Sequence, residues 1–241
     1  MVRQNLKNKV LYHYIKIVVV QLNKMDVSRL TFKEPIINPF TKTQHICKIT
    51  YDDDFLNLQT NYMYQNQHDG IPSIGRFTKD EKARGFYKII FHNEDDQLMK
   101  KLLQIDSIAS NLNNKVMTNK EKYQYIPIVK QFEEEDYKQP FIKLEINLDQ
   151  HNKPLVKVFK NINGTRNPID VETLDELMNM MQNAKLRFII NFNKLYISKY
   201  AFTDKKKMYG TILKLTHIEI VPQDLNSDEE EKGERITRRK S

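Results

Sequence analysis

"LRFIINFNKLYISKYAFTDKKKMYGTILKLTHIEIV", residues 186–221, decides the fold, because it holds three strand-like runs in close succession. Side chains alternate between the two faces of a strand. In the first run Leu186, Phe188 and Ile190 share one face, leaving Lys185 and Arg187 opposite. In the second, Leu195 and Ile197 form the apolar set against Lys194, Tyr196, Ser198 and Tyr200. Paired as a hairpin with their apolar sets inward, these two strands would carry two tyrosines among three basic residues on one outer face.

The charge supports that face. From Lys185 to Lys214 there are eight basic residues (Lys185, Arg187, Lys194, Lys199, Lys205, Lys206, Lys207 and Lys214) and one acid, Asp204. Rings stack on bases for about 1–3 kcal/mol each whatever the base, while lysines follow the phosphates, so the mixture suits a single strand. Duplex readout calls instead for a helix offering Arg, Asn or Gln to the major groove. The plainer alternative is that the rings are half-buried strand residues and "DKKK" a solvated tip.

Outward from this stretch the chain reads as mainly β with helical insertions. "HICKITY" and "FLNLQT" flank a "DDD" turn, "GFYKIIFH" is a further strand, and "FIKLEINL" and "LVKVFK" follow. Residues 61–83, with Gly70, Pro72 and Gly75, read as a long loop. Its Arg76, Phe77, Lys79, Lys82 and Arg84 repeat the basic and aromatic mixture, which makes the loop a candidate to close over a bound strand. The spacing of Leu98, Leu102, Ile105, Ala109 and Leu112 predicts an amphipathic helix packed on the sheet, and "VETLDELMNMM" a second, short one. Many short strands grouped around a helix point to a Greek-key barrel or curved sandwich, of which an OB-like barrel is one member.

Three segments follow: an N-terminal extension at 1–24, a domain at 27–222, and a charged tail at 223–241. Met25 precedes "DVSRLTFKEP", a natural opening strand, so the extension is either upstream of the true start or an added element packed on the domain. The tail "DLNSDEEEKGERITRRKS" has six acids, then mostly bases, and almost no apolar content, so it is expected to be disordered.

Composition bounds the function. With 241 residues, 39% of them hydrophobic, the chain can fill a core, and 39 Lys and Arg against 31 Asp and Glu leave a formal charge of +8. That balance suits a polyanionic partner. One cysteine, Cys47, rules out an internal disulfide and suits a reducing, intracellular compartment. No apolar run approaches the roughly 18 residues of a membrane span, and no membrane partner is implied. No phosphate-binding glycine loop exists among the six glycines, and the six histidines lack metal-ligand spacing. Asp52, Asp53 and Asp54 diverge on a tight turn and suit a solvated tip better than a two-metal site. The residues thus imply no enzyme, cofactor or metal.

In the order "DVSRLTFKEPIINPF", "ITYDDDFLNLQT", "YIPIVK" and the stretch 186–221, the chain resembles the single-stranded-DNA-binding proteins of nucleocytoplasmic large DNA viruses, the asfarvirus and mimivirus types. The likeness spans roughly residues 27–222. It departs from them in Tyr196, where relatives commonly carry tryptophan, and in lacking a Pro-Phe pair after "LQT". The resemblance implies an OB-like Greek-key barrel that binds single strands in viral DNA replication, repair or packaging, in the host cytoplasm or the virion. Single-stranded DNA is then the expected partner, with RNA and viral replication proteins as further candidates. The binding residues so expected are Lys185, Arg187, Lys194, Tyr196, Lys199, Tyr200, Phe202, Lys205, Lys206, Lys207 and Tyr209, joined by Arg76 and Lys79 of the loop. The alternative is a scaffold of the virion or replication complex whose basic face meets an acidic protein.

Overall fold

Alternating apolar and polar side chains become strand, and among the described residues two stretches of helical spacing become α-helices. The computed structural model describes residues 17–39, 44–64, 73–75, 84–93, 95–112, 122–131, 139–201 and 205–222. The elements are β1 (Ile17–Gln21), β2 (Leu30–Phe32), β3 (Ile36–Ile37), β4 (His45–Tyr51), β5 (Phe55–Gln59), β6 (Met63–Tyr64), β7 (Ser73–Gly75) and β8 (Arg84–Ile90). Then come α1 (Gln97–Ser110), β9 (Tyr123–Ile126), β10 (Phe141–Asn147), β11 (Lys157–Ile162), β12 (Thr165–Ile169) and α2 (Leu174–Met181). β13 (Ala184–Asn191), β14 (Lys194–Ala201), β15 (Lys207–Thr211) and β16 (Leu213–Pro222) close the domain.

The strands form two sheets. The larger runs β1-β5-β13-β16-β10-β8-β7, with β11 added on β16, β12 on β11 and β6 on β13; the smaller runs β2-β4-β14-β15-β9, with β3 on β4. Three times the chain leaves one sheet and enters the other within three residues: β4 to β5 through Asp52–Asp54, β13 to β14 through Phe192–Asn193, and β15 to β16 through Ile212. Strands that switch sheets in this way make the corners of a packed two-sheet core. The β13–β14 corner is tied to β4 where the Ile49 N–H donates to the Asn193 carbonyl at 2.8 Å.

This corrects the hairpin expected of residues 185–200, because β13 and β14 do not pair. β13 lies antiparallel to β16 along Ala184–Asn191, with a bulge between Ile189 and Ile190, while β14 lies between β4 and β15. The reason is visible in the pairing. Both edges of β13 are taken, one by β16 and the other by β5 and β6, and both edges of β14 are taken by β4 and β15, so neither strand has an edge left for the other. At Asp52 and Asp53 the expected turn is present, with φ of 49° and 67° closed by a bridge from Tyr51 to Asp54. Beyond that bridge the flanking strands join different sheets. Residues 61–83, expected as loop, include two short strands, β6 on β13 and β7 on β8.

Both helices begin as their caps dictate. The Asp96 carboxylate accepts from the Met99 N–H at 3.0 Å, and the Thr173 hydroxyl accepts from the Glu176 N–H at 3.1 Å. α1 turns Leu98, Leu102, Ile105 and Ala109 into the core, and α2 turns in Leu177, Met178 and Met181. Leu174 of α2 packs so tightly against β8 that a Cβ on Gly85 would lie 2.8 Å from its Cδ1, so a larger residue there has to displace the tip of that leucine. Residues 17–24 join the same body: β1 runs parallel to β5, and Leu22 is buried. In the smaller sheet Cys47 is 0% exposed, and burial pushes its thiol up to about 12.

Candidate nucleic-acid interface

The face of the larger sheet turned away from the core gathers the chain's basic and aromatic side chains. Register places Lys88 beside Lys143, Phe86 beside Glu145, and Glu145 beside Lys214. Further across, Glu219 lies between Phe159 and Arg187, Arg166 is opposite Asn161, and Tyr64 is opposite Lys185. Eight basic residues from six strands (Arg84, Lys88, Lys143, Lys157, Arg166, Lys185, Arg187 and Lys214) thus share the face. The rings on it are Tyr62, Tyr64, Phe86, Phe141 and Phe159.

Among the described residues of these strands, the face has two acids, and both are neutralised by it. Glu219, 6% exposed, accepts from the Tyr62 hydroxyl and the Asn161 amide, each at 2.7 Å, and from Arg187 Nε at 3.0 Å, with Arg166 Nη2 also 3.0 Å away. Burial alone would push this carboxyl up, but the hydrogen bonds from Tyr62, Arg187 and Asn161 outweigh it and hold the group down at about 2. Glu145, 3% exposed, pairs with Arg84 at 3.0 Å and Lys214 at 3.5 Å. Cations also lie over the rings. Arg187 is 4.4 Å from the Tyr62 centroid, and Lys185 is 5.5 Å from those of both Tyr62 and Tyr64. Lys88 and Lys143 lie 5.5 and 6.0 Å from the rings of Phe141 and Phe86. His217 stacks on Phe159, with 7° between the ring planes.

The Glu219 network carries a pH signature. Its folded value of about 2 lies below the ordinary 4.5, so its stabilisation is complete above pH 4.5 and is lost as pH falls towards 2. The shift corresponds to a stabilisation on the order of 3 kcal/mol. Glu219→Gln is therefore expected to melt well below the parent at neutral pH, with the gap closing near pH 2. A gap that does not change with pH in circular-dichroism melts would sink this account.

The residues expected from sequence divide among three places. Lys185 and Arg187 belong to the larger sheet's outer face. Lys194, Tyr196 and Tyr200 lie on the outward parity of β14, with Lys48 registered beside Lys194 and Gly210 beside Tyr196. Tyr200 is 71% exposed, and Tyr196 is half-buried. Burial, and then the negative charge of Glu145, push the Tyr196 phenol up, which puts this face of β14 next to Glu145 and Arg84. Lys205, with φ of 60°, and Lys206 are exposed at the β14–β15 turn, followed by the half-buried Lys207. Tyr209 is a correction. It faces the core at 2% exposure, and its hydroxyl donates to the Ala109 carbonyl of α1 at 3.2 Å, so it is a packing residue. Arg76, Lys79, Phe202 and the side chain of Lys199 lie outside the described residues, as do residues 1–16 and the tail at 223–241.

Sequence reasoning missed Tyr62, Tyr64, Phe86, Lys88, Lys143, Phe159 and Arg166. The same signal was available for most of them, since "FYKII", "FIKLEI" and "KVFKN" also alternate rings or bases with core residues. Two acids of the "DDD" turn are ion-paired. Asp52 pairs with Arg29, and Asp53 with Lys33 at 2.6 Å; among the described residues no cluster of His, Cys, Asp or Glu could hold a metal ion. No helix is long and apolar enough to cross a membrane among these residues.

No protein-family model matches the chain, and no curated protein does. Solved structures similar to it include the single-stranded DNA-binding protein from bacteriophage Enc34 in complex with ssDNA, at 9% identity and a TM-score of 0.36, covering 80% of this chain and 93% of that one. A C-terminal truncation of that protein gives 10% identity and a TM-score of 0.34, covering 83% of this chain and 98% of that one.

Proposed function

We propose that this protein binds single-stranded DNA with little regard to sequence, along the outer face of the larger sheet and the adjoining outer face of β14. The observation that carries the reading is the eight-to-two ratio of bases to acids on a ring-studded face whose acids are both buried and ion-paired. Lysines and arginines there meet phosphates, and Tyr64, 61% exposed, and Tyr200 offer ring faces to bases. The Lys205–Lys207 turn extends the positive track beyond β14. The three sheet-switching corners favour reading the two sheets as a distorted OB-like barrel. The viral setting expected from sequence, with a role in DNA replication, repair or packaging in the host cytoplasm or virion, belongs to the same proposal.

Fluorescence anisotropy with labelled single-stranded DNA, RNA and duplex oligonucleotides tests it. Submicromolar binding of the DNA single strand, weaker for duplex, is expected. Absence of single-strand binding at about 50 mM salt, where electrostatic contacts are strong, overturns it.

A further inference from the structure

A cleft of about 450 Å³ opens on the outer face beside β14, lined by Arg84, Phe86, Lys130, Lys143, Glu145 and Thr211 over an apolar wall at 126–128 and 212–213. That volume is in the range of small-ligand sites. Two oxygens at its lining are buried yet make no hydrogen bond: Oε1 of Glu145 and Oγ1 of Thr211. Arg84 holds the other Glu145 oxygen at 3.0 Å, whereas Oε1 has only the Lys214 ammonium, 3.5 Å away and not hydrogen-bonded. Buried oxygens left in this way are costly, and a ligand that brings N–H groups recovers the cost. The rim has the opposite character. Burial, and then the charge of Lys143, pull the Lys130 ammonium below its ordinary value, as happens when two cations border the same space. An anion or carbonyl acceptor between them relieves both.

We infer that this cleft takes one guanine nucleotide of the bound strand, making it a base-reading position on an otherwise sequence-tolerant surface. The inference rests on the single-strand reading above and names what one part of that surface selects. Guanine alone offers two adjacent donors, N1–H and the N2 amine, to a carboxylate, and beside them the O6 and N7 acceptors that Lys and Arg favour. Adenine and cytosine set a single amine beside an acceptor nitrogen, and thymine's one N–H lies between two carbonyls that a carboxylate repels. Phe86 and the apolar wall cover the flat of the base, and Lys130 and Lys143 take its phosphate.

The test uses the full chain and an oligothymidylate of roughly 12 nucleotides with one central thymine replaced by guanine, hypoxanthine or adenine. Guanine is expected to tighten binding roughly tenfold. Hypoxanthine, which lacks the N2 amine, loses most of that gain, and adenine shows none. In Glu145→Gln the guanine-to-thymine affinity ratio falls towards one whatever the absolute affinity, and Thr211→Val lowers the same ratio, which covers the case in which the first variant folds poorly. A ratio of one in the parent overturns the inference. Calorimetric titration with guanosine and inosine 5′-monophosphates separates the two readings. Guanosine monophosphate binding without oligothymidylate binding keeps the cleft and sinks the strand-binding face; oligothymidylate binding with no preference between the two monophosphates does the reverse.

Discussion

Replacing Lys143, Lys157 and Lys185 together by alanine is expected to weaken single-strand binding roughly a hundredfold and to flatten the dependence of log affinity on log salt by about 2, three phosphate contacts at about 0.7 each. The three lysines come from β10, β11 and β13 and so sample the width of the face. Arg84, Arg166 and Arg187 make poorer probes, since each is tied to a buried carboxylate whose exposure as an unpaired charge would confuse stability with binding. The companion variant, with Lys205, Lys206 and Lys207 changed to alanine, asks whether the strand also passes the β14–β15 turn. If it does, the slope falls by a similar amount; if the path stays on the larger sheet, only the first variant responds. An unchanged slope in the first variant, with its melting temperature intact, removes the larger sheet from the site.

The second large effect is on stability. Asp106 of α1 is buried, and it accepts from the Tyr125 hydroxyl at 2.6 Å, the Ile128 N–H at 2.7 Å and the Val129 N–H at 3.0 Å. One carboxylate thereby anchors segment 125–129, which forms a wall of the cleft, onto the helix. Asp106→Ala leaves three donors unpaired at about 1–3 kcal/mol each, so a loss of roughly 4 kcal/mol is expected after partial hydration. For a domain of this size that lowers the melting temperature by roughly 10 °C. Asp106→Asn, which keeps one carbonyl acceptor, falls in between. Calorimetric melts of both variants decide the point, and a shift of only a degree or two for Asp106→Ala would show that the anchor is dispensable. Burial and then the Asp106 carboxylate push the Tyr125 phenol far up, so the hydroxyl keeps its proton for this bond at any ordinary pH.

Local features of this fold are legible in the sequence because they depend on near neighbours. The spacing of Leu98, Leu102, Ile105 and Ala109 and the cap at Asp96 define α1, and alternation defines most strands, since each is one face of one element. Strand partners are not so written. β13 and β14 look like a hairpin because they are adjacent, two residues apart, and carry apolar sets that such a hairpin would bring to one face; nothing within them shows that β16, β5 and β6 will take the edges of β13, and β4 and β15 those of β14. Tyr209 was misplaced for a related reason: it alternates with Met208 and Gly210, which carry too little contrast to show which side α1 will cover. The wider basic face escaped notice because its members lie on β8, β10, β11, β12, β13 and β16, and nothing in any one strand shows that the sheet will bring them side by side. Glu145 and Glu219 obscured it further. In sequence they dilute the positive charge, whereas in the fold each is enclosed by the cations it neutralises.

The chain's one thiol, Cys47, is sealed inside the smaller sheet with its acidity suppressed. The thiolate is the form that attacks thiol reagents, so the closed molecule is inert to them, and labelling proceeds only through moments when β4 opens. A single silent cysteine of this kind turns the rate of labelling into a clock for local opening. Read with and without an oligonucleotide, that clock reports whether occupancy of the outer face stiffens the strands beneath it.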